Sequence, residues 1–127
     1  MLGEWWGDLI TEGTADHGLL RETGFTEGDP VIAKKRYNAF AGTDLADRLR
    51  ERGVRDLAIS GVMTNLCVET TTRDAFVRDF QVRVLMDATA TATEDMHLAT
   101  LLNLAYGFAY LQTAAEWTES LNDRSRS

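Results

Sequence analysis

The alternation of short apolar runs with amphipathic stretches between residues 31 and 122 constrains the fold of this chain more than any other feature. Short apolar runs typical of buried strands occupy residues 31–33, 57–60, 82–86 and 108–112. A helix-like pattern follows each run. Because parallel strands need crossover connections, usually right-handed and helical, this order predicts an α/β fold with a parallel sheet and helices on both faces.

Polar residues and glycines mark the expected helix ends. Thr43 is the predicted cap of the first helix, and Gly53 is its predicted stop. Residues 91–94 (TATE) and the pair Thr113 and Glu116 each have the spacing of a capping box, in which a threonine precedes a glutamate by three positions. These signals predict helices that begin shortly after residues 91 and 113.

Size and charge limit the classes of function. The 127 residues predict one globular domain over residues 1–127, and the formal net charge of −7 disfavours binding to nucleic acid or anionic membranes. No run of about 18 apolar residues is present, and the first residues lack the pattern of a secretory leader. We therefore expect a cytoplasmic protein with a small-molecule substrate and neither nucleic acid nor membrane as partner.

The single cysteine, Cys67, excludes an intramolecular disulfide and suggests a reducing compartment. It falls in the first turn of a helix predicted over residues 66–79, where the helix dipole and free N–H groups favour a thiolate and can hold an oxyanion. Lys34 follows the first predicted strand, and the carboxyl ends of parallel strands are where ligands bind. A lone cysteine is otherwise often a small core residue, so both interpretations stay open on position alone.

Two motifs carry a resemblance to a known family. Residues 34–45 (KKRYNAFAGTDL) resemble the lysine motif, and residues 61–69 (GVMTNLCVE) resemble the nucleophile motif, of the isochorismatase-like cysteine hydrolase superfamily. Residues 74–75 and 87–91 resemble its following helix and strand end, so the similarity extends from Trp6 to Trp117. The resemblance implies a three-layer, Rossmann-like parallel sheet and favours the amidohydrolase branch that keeps the cysteine.

The resemblance also implies a set of site residues. The family uses a Cys–Lys–Asp triad, and Cys67 and Lys34 stand at the cysteine and lysine positions. It implies a cis peptide bond between Val62 and Met63, and an oxyanion hole formed by the backbone N–H groups of Met63 and Cys67. The implied chemistry is hydrolysis of a non-peptide C–N bond through a thioester intermediate.

Other candidate residues are weighed beside the motifs. Tyr37 and Phe40 are candidate walls of an apolar substrate pocket, although aromatic residues of small domains often belong to the core. His17 and His97 are too few for a dense metal site and are expected at the surface. We therefore predict no metal and no other cofactor.

The chain departs from the family pattern at its beginning. The acidic member of the triad follows the first strand of the family fold, and no such strand precedes residue 31, so the first two strands are expected to be missing. Asp8, Asp16 and Asp29 follow no strand-like run and are interpreted as loop residues. In the usual strand order of the family, 3-2-1-4-5-6, the two missing strands lie between the strand that carries the lysine and the strand that leads to the cysteine, so their loss would leave a gap beside Ile59.

These observations favour a cysteine hydrolase of a small amide, carbamoyl or ureido compound. The alternative is a catalytically inactive truncated homologue or interaction subunit that buries an exposed sheet edge against another chain. In either case a homo-oligomer is expected, because unpaired strand edges favour association.

Overall fold

The computed structural model describes residues 10–124, apart from the side chains of Asp16 and Arg124. Its contacts divide the chain into two compact units, 1–31 and 32–127, each described by itself. In the first unit, the described residues form the short 3-10 turns Ala15–His17 and Arg21–Thr23. The Asp29 carboxylate accepts a 2.9 Å hydrogen bond from the Thr26 backbone N–H, so this carboxylate closes its own loop. Asp8 lies outside the described residues.

The second unit contains the alternating strands and helices. Its elements in chain order are α1 (Leu45–Glu51), β1 (Asp56–Val62), α2 (Glu69–Val77), β2 (Gln81–Ala90), α3 (Glu94–Gly107), β3 (Tyr110–Gln112) and α4 (Ala114–Arg124). A π-helical turn, Thr64–Val68, connects β1 to α2. No helix within residues 10–124 is long and apolar enough to cross a membrane.

The described strands form one parallel sheet in the order β1-β2-β3. Ile59 pairs with Val84, and Val84 pairs with Leu111, so three apolar side chains lie side by side on one face. The register shifts between Ile59 and Gly61, near the end of β1. The predicted α/β class with a parallel sheet is confirmed.

Helices cover both faces of this sheet. On one face, Val82 packs with Ala46 of α1 and Ala75 of α2, and Val84 packs with Leu101 and other residues of α3. On the opposite face, the Arg83 guanidinium lies 5.4 Å from the ring centroid of Trp117 in α4. The backbone N–H of Ala114 donates a 2.8 Å hydrogen bond to the Asp87 carboxylate, which attaches the start of α4 to β2.

The strand predicted over residues 31–33 is wrong. These residues have no regular secondary structure, and Val31 is exposed. A strand exists only where a neighbouring strand pairs with its backbone groups, and among residues 10–124 none pairs with this run. The run therefore reaches Lys34 as an irregular segment.

The helix-end predictions have mixed outcomes. Gly53 has φ of 67° directly after the C-cap of α1, in agreement with the predicted stop. Asp44 occupies the N-cap of α1, while the hydroxyl of Thr43 accepts a 3.3 Å hydrogen bond from the Leu45 backbone N–H. The predicted cap at Thr43 is thus displaced by one residue.

The two predicted capping boxes differ. The box at α4 is reciprocal, because the Thr113 backbone N–H donates to the Glu116 carboxylate at 2.7 Å and the Glu116 N–H donates to the Thr113 hydroxyl at 3.2 Å. The backbone hydrogen bond from Thr113 lowers the pKa of Glu116. At α3 the cap is Thr93, which accepts from the Met96 N–H, so Thr91 is not the cap.

Candidate functional site

Cys67 lies just beyond the carboxyl end of β1. The peptide bond between Val62 and Met63 is cis, and the π-helical turn Thr64–Val68 follows at once. The Met63 carbonyl accepts hydrogen bonds from the backbone N–H groups of Leu66, at 3.1 Å, and Val68, at 3.2 Å. These bonds close the turn around Cys67, whose side chain is partly exposed.

Lys34 reaches the same point from a distant part of the sequence. Its ammonium Nζ donates a hydrogen bond to Cys67 Sγ at 3.5 Å and a second one to the Arg36 carbonyl at 3.0 Å. The second bond folds the lysine back over its own segment and holds the ammonium at the sulfur. A cation in contact with a cysteine sulfur favours the thiolate, which is the nucleophilic form.

The segment that carries Lys34 is attached to α2. The Thr71 hydroxyl accepts a 3.1 Å hydrogen bond from the Ala39 backbone N–H and lies 3.4 Å from the Tyr37 carbonyl. The Asn38 side-chain amide donates a 2.7 Å hydrogen bond to the Asp74 carboxylate. Because α2 continues directly from the turn of Cys67, one helix positions both the sulfur and the lysine segment.

The Asp74 carboxylate accepts one of the hydrogen bonds that attach the Lys34 segment to α2. Its partial burial opposes ionisation, but hydrogen bonds from Asn38 and Arg78, together with the Arg78 charge, outweigh the burial and lower the pKa of Asp74. Arg78 contacts the carboxylate through Nε at 2.9 Å and Nη2 at 3.3 Å. The carboxylate therefore stays charged and holds Asn38 and Arg78 together.

Side chains in and just before α3 form hydrogen bonds to the π-helical turn and to the first residue of α2. His97 Nδ1 lies 2.9 Å from the Thr64 hydroxyl, and the Thr91 hydroxyl donates to the Asn65 side-chain oxygen at 2.6 Å. The Thr100 hydroxyl donates to a Glu69 carboxylate oxygen at 3.2 Å. His97 is half-buried, so the expectation of a surface histidine is corrected.

The two aromatic candidates have different positions. Phe40 is only 4% exposed and stacks on Phe80 with ring centroids 5.9 Å apart, so its side chain belongs to the core. Tyr37 is half-buried and lies three residues beyond Lys34. Of the two, only Tyr37 is retained as a candidate pocket residue.

Sequence reasoning did not identify the contacts of Asn38, Asp74, Thr64 and His97. All four stand in or near the two motifs or at a helix start, but nothing in their spacing indicates which side chains meet. No group of three or more His, Cys, Asp or Glu side chains suited to a metal ion occurs within the described part of the chain.

Comparisons with known proteins identify relatives of this chain. Residues 2–116 match the family model described as the Isochorismatase domain. Nicotinamidase 3 of Arabidopsis thaliana is 47% identical over 124 residues, which are 95% of this chain and 63% of that protein. Ureidoacrylate amidohydrolase RutB of Methylobacterium radiotolerans is 38% identical over 120 residues, which are 94% of this chain and 46% of that protein.

A solved structure has the same fold. The isochorismatase-like hydrolase from Alkaliphilus metalliredigens superposes with a TM-score of 0.84 at 32% identity, over 88% of this chain and 62% of that one. The chain thus spans less than two thirds of the length of each of these relatives.

Proposed function

Because the chain belongs to the isochorismatase family, we propose that this protein hydrolyses a small amide at a non-peptide C–N bond, with Cys67 as the nucleophile. The observation that carries the proposal is the 3.5 Å contact between the Lys34 ammonium and Cys67 Sγ at the carboxyl end of β1. A partly exposed cysteine beside a cation, in the first turn of a helical segment, is an environment that favours a nucleophilic sulfur.

The proposed reaction has two steps. The Cys67 sulfur attacks the carbonyl carbon, the C–N bond breaks, and the nitrogen leaves as ammonia or an amine with the proton that the thiol gave up. Water then attacks the thioester, which releases a carboxylic acid and restores the thiol. The net change is one amide and one water converted to one acid and one amine.

Backbone groups of the turn complete the proposed site. The N–H groups of Met63 and Cys67 are the proposed oxyanion hole, which would stabilise the charge that develops on the carbonyl oxygen. The Lys34 ammonium, 3.5 Å from Cys67 Sγ, would stabilise the negative charge that develops on the sulfur as the thiol gives up its proton. Tyr37 is the proposed wall against the apolar part of the substrate.

The relatives suggest which substrates to test. A nicotinamidase acts on an aromatic carboxamide, and a ureidoacrylate amidohydrolase acts on a ureido acid. Because the 47% identity to Nicotinamidase 3 exceeds the 38% identity to the ureidoacrylate enzyme, we propose a small aromatic carboxamide first and a ureido acid second.

A non-catalytic function is the second candidate. Among the described residues only β2 pairs with β1, so the other edge of β1 has no described strand partner. Such an edge supports association with another strand, either from a second copy or from a different chain. Under this alternative the chain would be an interaction subunit, and Cys67 would form no thioester.

One experiment separates the two. The protein is incubated with nicotinamide or with ureidoacrylate, ammonia release is measured, and acid-quenched samples are digested to look for the acyl group on the Cys67 peptide by mass spectrometry. We expect release that Cys67→Ser abolishes, and an acyl adduct with at least one substrate class. Ammonia release that persists in Cys67→Ser would contradict the nucleophile, and no release from either class would favour the interaction subunit.

A further inference from the structure

We infer that His97 is a positioning residue, which fixes the π-helical turn Thr64–Val68 that carries Cys67. It acts through the Thr64 hydroxyl. The inference rests on the proposed role of Cys67 as nucleophile. His97 is not proposed to contact the substrate. The observation behind it is the 2.9 Å separation between Thr64 Oγ1 and His97 Nδ1.

Thr64 needs this partner because its side chain is fully buried. It is the first residue of the π-helical turn and has 0% exposure. A buried hydroxyl without a hydrogen bond loses its contact with water and gains nothing in return, so burial favours a structure in which another polar atom lies within hydrogen-bond distance of it. The imidazole of His97 supplies that atom.

His97 is held by a well-anchored helix. Its backbone N–H bonds to the carbonyl of Thr93, the cap of α3, at 3.1 Å. One and two turns further on, Leu101 and Leu104 are buried against Val84 of the sheet. The core therefore fixes the position of the ring, and through it the position of Thr64.

The contact can form in both protonation states of the imidazole. A neutral ring with a bare Nδ1 accepts from the Thr64 hydroxyl, and an imidazolium donates from Nδ1 to the same oxygen. The direction of the hydrogen bond reverses, but the two side chains stay together. A threonine is suited to this pairing because its hydroxyl both donates and accepts.

Cys67 is three residues beyond Thr64 in the same turn, so a shift of Thr64 moves the sulfur relative to Lys34. Such a shift would change the 3.5 Å distance between Lys34 Nζ and Cys67 Sγ. A displacement of about 1 Å in a reacting group can cost on the order of a hundredfold in rate. We therefore expect the loss of the Thr64–His97 contact to lower Cys67 reactivity.

The test measures the second-order rate of Cys67 alkylation by iodoacetamide, with thermal unfolding recorded for each variant. Thr64→Val and His97→Ala are each expected to slow alkylation about tenfold, and the double variant to be no slower than either single one, because both remove the same contact. His97→Asn, which keeps a polar atom near the Nδ1 position, is expected to restore most of the rate. If Thr64→Val fails to fold, the two His97 variants still decide the question.

Thr72→Val is the matched control, since Thr72 is also a threonine with 0% exposure but lies in α2, and its hydroxyl has no hydrogen bond to His97. Its alkylation rate is expected to equal that of the parent protein. Unchanged rates in folded Thr64→Val and His97→Ala, or equal slowing by Thr72→Val, would overturn the inference. So would failure of His97→Asn to exceed His97→Ala.

Alkylation does not depend on turnover, so the inference and the proposed function can fail separately. The expected alkylation pattern without hydrolysis of any tested amide would keep the positioning contact and reject the proposed function. Where an amide is hydrolysed, His97→Ala is expected to lower kcat about tenfold with little change in KM, because the contact acts on the nucleophile and not on substrate binding. Hydrolysis with a parent-like kcat in His97→Ala would reject the positioning role alone.

Discussion

Asn38 and Asp74, 36 positions apart in the chain, are joined by a 2.7 Å hydrogen bond that attaches the lysine segment to the helix after the nucleophile. The Asn38 side-chain oxygen also accepts from the Phe40 backbone N–H at 2.9 Å, so the same amide shapes the segment and anchors it. Through this bond Asp74 stabilises the position of Lys34 without touching it.

Loss of the Asn38 amide should therefore weaken both the fold and the Lys34 contact. Asn38→Ala is expected to lower the free energy of unfolding by about 1 kcal/mol and to slow Cys67 alkylation, because a hydrogen bond to a carboxylate is lost. Asn103→Ala is the control, since within residues 10–124 that exposed side-chain amide donates to the Ala99 carbonyl of its own helix and to no other element. Equal alkylation rates in the two variants would show that the Asn38–Asp74 hydrogen bond does not affect the contact of Lys34 with Cys67.

The lowered pKa of Asp74 predicts how stability depends on pH. The folded protein holds this pKa below its ordinary 3.8, so ionised Asp74 stabilises the fold above pH 3.8, and this contribution is lost as pH falls through the folded pKa. Asp74→Asn should be less stable than the parent at neutral pH and should approach it at low pH. Urea unfolding from pH 7 to pH 2.5 measures this, and a difference independent of pH would contradict it.

Lys34 should raise the reactivity of Cys67, whereas the adjacent Lys35 should not. Lys34→Met removes the ammonium but keeps much of the chain length, and it is expected to slow alkylation at neutral pH by about tenfold, because the thiolate loses its cation. Lys35→Met is the matched control, since it removes the same charge one residue away. Equal slowing of alkylation by the two substitutions would show that surface charge in general, and not the contact of Lys34 with Cys67, sets the rate.

Thr72 offers a stabilising substitution. Its hydroxyl is buried in α2 and has no hydrogen-bond partner among the residues that the structure describes. Thr72→Val replaces the hydroxyl by a methyl group of similar shape and is expected to raise the free energy of unfolding by about 1 kcal/mol. A decrease in the denaturant midpoint would indicate a hydrogen-bond partner outside residues 10–124.

Two leucines of α3 test the assignment of the core. Leu104 is 0% exposed and packs with Val84, whereas Leu102 is 72% exposed on the same helix. Leu104→Ala should destabilise the protein by about 2–5 kcal/mol through lost burial and a cavity, and Leu102→Ala by less than about 0.5 kcal/mol. Comparable losses at the two positions would place the buried face of α3 elsewhere.

Much of the architecture could be predicted because it depends on neighbours in sequence. β1 and β2 were recognised from apolar runs, and the capping box at Thr113 and Glu116 from its spacing. The place of Cys67 after β1 followed in the same way, since a strand, a short turn and a helix are local patterns. Such patterns act over a few residues, so the sequence expresses them directly.

Local patterns were insufficient where a distant partner was needed. The spacing of Thr91 and Glu94 predicts a capping box, but the Thr91 hydroxyl donates instead to Asn65, which is 26 positions away, and Thr93 is the cap. The run at 31–33 has strand-like composition, yet no described strand lies beside it. A strand is a property of a pair, so composition alone could not decide it.

The sequence by itself determined the α/β class of the fold and the place of Cys67 after a buried strand. It did not determine every element, because the strand predicted over residues 31–33 is wrong and Cys67 lies in a π-helical turn instead of a helix over residues 66–79. The family resemblance implied that Lys34 and Cys67 share a site, but only the tertiary structure decided which of their atoms are in contact, that Asn38 bonds to Asp74, and that His97 lies beside Thr64. These contacts depend on how α2 and α3 pack on the sheet. Packing depends on how many buried side chains fit together at once, and the spacing of residues in one segment does not reveal this.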